Sequence, residues 1–137
     1  MTVRRKVSVT TLMNLTDHET FGANEHASAQ LTRVAVVTDD VDQQLMYMEA
    51  RCGGEIRVEL TLNAIVLQNG DIRIEGNAKL YEGASDRTNE LNGENYFTVL
   101  IPANKFVPYF VNVWNTYEGE RDDKADITMH FRNSQIA

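Results

Sequence analysis

Five carboxylates fall close together near the C-terminus: Glu118, Glu120, Asp122, Asp123 and Asp126. Hard cations such as calcium take six to eight oxygen ligands, and carboxylates on adjoining loops are donors they select. Asp86, on an earlier loop, would face this set, with the amides of Asn89, Asn92 and Asn95 as further oxygen donors. Calcium is therefore the cofactor these residues predict. The spacing is not that of an EF-hand, and Arg121 and Lys124 interrupt the run, so a merely solvated acidic surface is the competing reading.

The other reactive side chains are sparser. His18, His26 and His130 lie far apart and show no metal-ligand spacing. The lone Cys52 stands beside Gly53-Gly54 with no identifiable base, and reads as a buried, inert thiol. No nucleophile elbow or phosphate-cradling glycine loop occurs. A small hydrolase using loop carboxylates, His18 or Asp122 is thus the third-ranked expectation, behind assembly and ligand binding.

A different chemistry is offered by residues 106–117. Val107, Tyr109, Val111, Val113 and Tyr117 form one apolar set, while Phe106, Phe110 and Trp114 occupy the other face with Asn112 and Thr116. A strand with one wet face does not spend Phe and Trp on water, so something is expected to cover the second set. The candidates are the connection at residues 16–30, a partner subunit, or a sugar stacked on the rings with Asn112, Asn115 and Asn77 as hydrogen-bond partners.

Charge narrows the partners. Twenty acidic against 13 basic residues give a net charge of -7, which opposes nucleic acid and anionic membrane. Residues 1–9 carry Arg4, Arg5 and Lys6 but no continuous apolar stretch follows, so the chain as given reads as soluble, without a signal peptide. No run approaches the roughly 20 apolar residues of a membrane-spanning helix. A length of 137 residues suits one domain covering residues 1–137.

The elements that must position these groups are strands. In residues 55–82, Ile56, Val58, Leu60, Leu62, Ala64 and Val66 alternate with polar residues, as do Ile72, Ile74, Gly76, Ala78 and Leu80 after the turn. Asn69-Gly70 suggests a two-residue loop, but that register sets Val66 and Ile72 on opposite faces. A three-residue loop over 68–70, with Gly70 left-handed, pairs Val66 with Ile72, Ala64 with Ile74, Leu60 with Ala78 and Val58 with Leu80. It also sets Glu59 opposite Lys79 and Arg57 opposite Tyr81.

Further strands are expected at 3–15, 31–38, 44–52, 96–101, 106–117 and 125–132, with long connections at 16–30 and 82–95 and turns at 39–42, 102–105 and 118–124. Pro108, lacking an amide donor, belongs on a sheet edge or near a strand start. About eight strands with little helix between them predict an all-β, antiparallel two-sheet sandwich of jelly-roll or Greek-key form, with a closed β-barrel as the alternative.

If successive strands run back and forth, alternate connections share a pole. The turns at 39–42, 68–70 and 102–105 fall at one end. The other gathers Asp17, Glu19, Glu25, Glu55, Glu82, Asp86, Glu90, Glu94, Glu118, Glu120, Asp122, Asp123 and Asp126. The sequence thus predicts a non-catalytic module, a homo-oligomer or a binder of a protein partner through Phe106, Phe110 and Trp114. The alternative is a ligand-binding module, for calcium at the acidic pole or for carbohydrate on the aromatic face.

Overall fold

The computed structural model describes residues 2–19, 22–39, 41–53, 55–83, 90–116 and 123–136. They form eight strands: β1 (Arg4–Asp17), β2 (Glu25–Thr38), β3 (Gln43–Cys52), β4 (Ile56–Val66), β5 (Ile72–Glu82), β6 (Glu90–Ile101), β7 (Phe106–Trp114) and β8 (Lys124–Ser134).

The β4–β5 hairpin takes the register that its two apolar faces require. Val66 pairs with Ile72, Ala64 with Ile74, Leu60 with Ala78 and Val58 with Leu80. Gly70 sits at φ 90°, a left-handed conformation that glycine adopts without Cβ strain, and its N–H donates to the Leu67 carbonyl at 2.9 Å. On the outer face Arg57 lies over the Tyr81 ring, 4.2 Å from its centroid, and pairs with Glu59 at 2.9 Å. Lys79 is opposite Glu59 but reaches instead toward Glu94, at 4.0 Å.

The strands form two antiparallel four-stranded sheets, ordered β2-β1-β8-β7 and β3-β4-β5-β6. This is the sandwich expected from the alternation, but its weave is up-and-down rather than jelly-roll or Greek-key: consecutive strands within a sheet are neighbours, the chain changes sheet between β2 and β3 and between β6 and β7, and β8 returns beside β1. No barrel closes, because among the described residues no ladder joins β2 to β3 or β6 to β7. The inward residues of both sheets, including Met13, Leu15, Ile56, Leu60, Ile127 and Phe131, make one continuous core.

Several boundaries differ from the sequence reading, among them β1, which runs on to Asp17, and β7, which ends at Trp114. β2 starts at Glu25, so much of the connection at 16–30 is strand; Leu15 pairs with Ala27 and Met13 with Ala29. β6 starts at Glu90, with a register shift opposite Leu80 and Tyr81, and buries the polar Asn92. β8 runs on to Ser134, which brings Asn133 inside.

Asp39 and the turns at 68–70 and 102–105 meet at one end. The Gln68 amide donates to Asp39, and the Ala103 N–H donates to Asp71 Oδ1 at 3.0 Å. Beneath them Asn133 donates to the carbonyls of Gly70 and Ile101, at 2.9 and 3.0 Å, and accepts from Arg5 Nε at 2.8 Å. Arg5 Nη2 also donates to Asn104 Oδ1 at 2.7 Å, so this buried polar network ties the turns together.

Candidate functional site

The opposite end is acidic. β1 alternates inward through Met13 and Leu15, and one more step of the same period turns Asp17 inward as well. Its side chain is 1% exposed, and its Oδ2 accepts no hydrogen bond among the described residues. Glu25, opening β2, is its cross-strand partner. Gly53 follows β3 at φ 63°, and a Cβ there would stand 2.2 Å from Asp17 Oδ2 and 2.6 Å from Glu25 Oε2. The backbone is therefore bare where the two carboxylates converge.

Glu55 is held beside them by the turn into β4: its N–H donates to the Cys52 carbonyl at 3.3 Å, and its own carbonyl accepts from the Gly83 N–H at 3.1 Å. One oxygen each from Asp17, Glu19 and Glu55 lie within 4.8 Å of one another. Burial, then the charges of Glu55, Asp123, Glu19 and Glu25, push the Asp17 carboxyl up to about 7. Burial and the neighbouring Glu55 and Glu25 also raise Glu19. The Cys52 thiol is buried and raised, first by burial and then by Asp17 and Glu25, so it stays protonated and inert.

A second group adjoins the first. Glu82 Oε2 accepts from the amides of Asn92 and Asn115, each at 2.9 Å. Burial, then the neighbouring Asp123 carboxyl, raise Glu82 to about 7, and its Oε1 has no partner among the described residues. Asp123 Oδ1 accepts from the His18 N–H at 2.7 Å, linking the end of β1 to the start of β8. Among the described residues no lysine or arginine forms an ion pair with Asp17, Glu19, Glu55 or Glu82.

Of the carboxylates singled out from the sequence as cation ligands, Glu118, Glu120, Asp122 and Asp86 lie outside the described residues. Asp123 is in the acidic group. Asp126 projects from the outer face of β8, opposite Asn14 and Asn112, with Lys124 Nζ 3.8 Å from it. The alternation of connections places Asp17 and Glu55 at this pole but in no site; the continuing inward phase of β1 is the signal that singles out Asp17.

The aromatic set stands on β7, an edge strand, where Pro108 leaves no unmade ladder bond. Val111 and Val113 face the core, and Phe106 and Phe110 face outward, 60% and 57% exposed. The described residues of the connection at 16–30 do not cover them, since its second half is β2 at the far edge of the sheet. Trp114 is half-buried. Phe106 stacks on His130 with ring centroids 5.7 Å apart. The asparagines expected to serve a stacked sugar do not gather: Asn112 is on this face, Asn77 is on the outer face of the other sheet, and Asn115 is buried against Glu82.

Across this outer face two rows carry no formal charge: Thr32–Thr10–His130–Pro108 and Gln30–Leu12–Thr128–Phe110. Val34 and Val36 extend the exposed apolar surface toward β2. The outer face of the other sheet is the reverse, with Glu49, Glu59, Lys79 and Glu94 in one row.

No protein-family model matches this chain, and no curated protein matches it. Three solved structures align along 99% of it at 8% identity, all containing the secretin InvG of the Salmonella SPI-1 type III secretion injectisome. The open-gate secretin from residue 176 onward aligns with a TM-score of 0.35 over 60% of its length. A near-atomic-resolution secretin structure gives 0.40 over 65%. The basal-body assembly of InvG, PrgH and PrgK gives 0.40 over 46%. At such scores the functional reading rests on this chain's own residues.

Proposed function

We propose that the chain is a non-catalytic interaction module that self-associates through the outer face of the β2-β1-β8-β7 sheet. The observation that carries this reading is the pair of uncharged rows ending at exposed Phe110 and Pro108, beside exposed Phe106. Two copies each bearing -7 repel one another, so close approach favours the surface with the least charge. Stacking suits this face better than edge-to-edge pairing, because Pro108 supplies no amide hydrogen to an incoming strand. The Phe106–His130 stack pre-orders one large side chain, which lowers the entropy lost on contact.

Substituting Phe106→Ser and Phe110→Ser together tests the reading by light-scattering mass and thermal melting. Both side chains are exposed, so the double variant is expected to stay folded, to melt close to the unaltered chain, and to lose association. Added salt should strengthen association of the unaltered chain by screening its net charge. An associated double variant, or association that weakens as salt rises, would contradict this assignment.

A further inference from the structure

From the end of β1 and the turn after β3, we infer that Asp17, Glu19 and Glu55, assisted by Glu25, form a binding site for a hard divalent cation of the calcium class. The donors come from separate stretches of chain, yet one oxygen from each of the first three falls within 4.8 Å of the others. Oxygens bound to one calcium ion at about 2.3–2.6 Å stand about 3–5 Å apart, and the spacing of these three is of the same order.

The independent observation is Asp17 itself. Its side chain is almost wholly buried, and its Oδ2 is left without a hydrogen-bond partner while converging with Glu25 Oε2 over Gly53. A buried carboxylate oxygen is ordinarily satisfied by a donor or a cation, because leaving it bare is unfavourable. No lysine or arginine supplies that charge among the described residues. Gly53 adds the space: its missing side chain is what lets Asp17 Oδ2 and Glu25 Oε2 converge on the backbone. Every donor is an oxygen, and the more exposed Glu19 and Glu55 leave the outer side open to water, which suits calcium's large coordination number.

This site is separate from the sheet face proposed above, so either can fail without the other. The test is calorimetry and thermal melting of the full chain, stripped with chelator, with calcium chloride alone at pH 7.5. One calcium per chain is expected, and for a dissociation constant near 10 µM a rise of about 5–10 °C in melting temperature at 1 mM. Asp17→Asn and, independently, the exposed Glu55→Gln should each reduce calcium affinity at least tenfold while remaining folded. Asp126→Asn, on the outer face of β8, should leave it unchanged. Magnesium at the same concentration should shift the melt less. A calcium shift below about 1 °C, retention of binding in both Asp17→Asn and Glu55→Gln, loss of binding in Asp126→Asn, or an equal response to magnesium would overturn the assignment.

Discussion

Replacing Asp17 with Asn should stabilise the metal-free protein, although it alters a fully buried residue. The side chains are nearly isosteric, and the change removes a charge enclosed by burial and by Glu55, Asp123, Glu19 and Glu25. Holding that carboxyl near pH 7 instead of 3.8 corresponds to about 4 kcal/mol at about 1.36 kcal/mol per pH unit. Glu19 and Glu55 are partly in water, which screens their repulsion, so about 2 kcal/mol is the expected gain at pH 8. For a chain of this length that is a rise of about 6 °C in melting temperature. The gain must depend on pH in one direction. Below pH 3.8 the carboxyl is protonated in folded and unfolded chains alike, and the substitution gains nothing. Between 3.8 and about 7 the unfolded chain has released its proton while the folded chain retains it, so the advantage grows until it is complete above about 7. Thermal melts of both proteins in chelator at pH 4, 6 and 8 measure it. A variant less stable than the unaltered chain at pH 8, or a gain that is the same at all three values, would refute the reasoning.

The remaining predictions follow from the same two ends of the sandwich. Since both Asp17 and Glu82 are raised to about 7, the metal-free protein should lose stability steadily from pH 4 to pH 8, as urea midpoints would record; a midpoint that climbs over that range contradicts the buried acids. Asn133→Ala removes the donor to the Gly70 and Ile101 carbonyls and the acceptor of Arg5 Nε, and should destabilise by about 2–4 kcal/mol in denaturant melts. Gly53→Ala places a Cβ against Asp17 and Glu25 at a left-handed backbone position, and should cost about 1–3 kcal/mol; a neutral effect would mean the carboxylates do not converge there.

How much of this was readable in advance varies by segment. The β4–β5 hairpin was legible to the residue because both arms alternate strictly, and only one loop length brings Val66 and Ile72 onto the same face. The first half of β2 was not: its inward residues there are Ala27 and Ala29, too small to mark a strand, and it is held by pairing along β1. The start of β6 was obscured in the same way, since its buried residues are Asn92 and Gly93, secured by side-chain bonds and a close approach to Trp114 that no periodicity reports. At the acidic end, alternation of connections was enough to gather Asp17, Glu55, Glu82 and Asp123 at one pole. Which carboxylate is buried depends on β1 continuing one step beyond Leu15, and a charged residue at a strand end gives little reason to extend it. The outward phase of Phe106, Phe110 and Trp114 was plain, but whether anything covers them depends on which strand lies at the edge of the sheet, and that follows from strand order rather than local pattern.

The central claim, self-association through an uncharged sheet face, is tested most directly by sedimentation equilibrium of the unaltered full chain from micromolar to millimolar concentration at moderate salt. The account predicts a mass that climbs with concentration from 15.5 kDa toward that of two copies. A single species of 15.5 kDa at every concentration would contradict it.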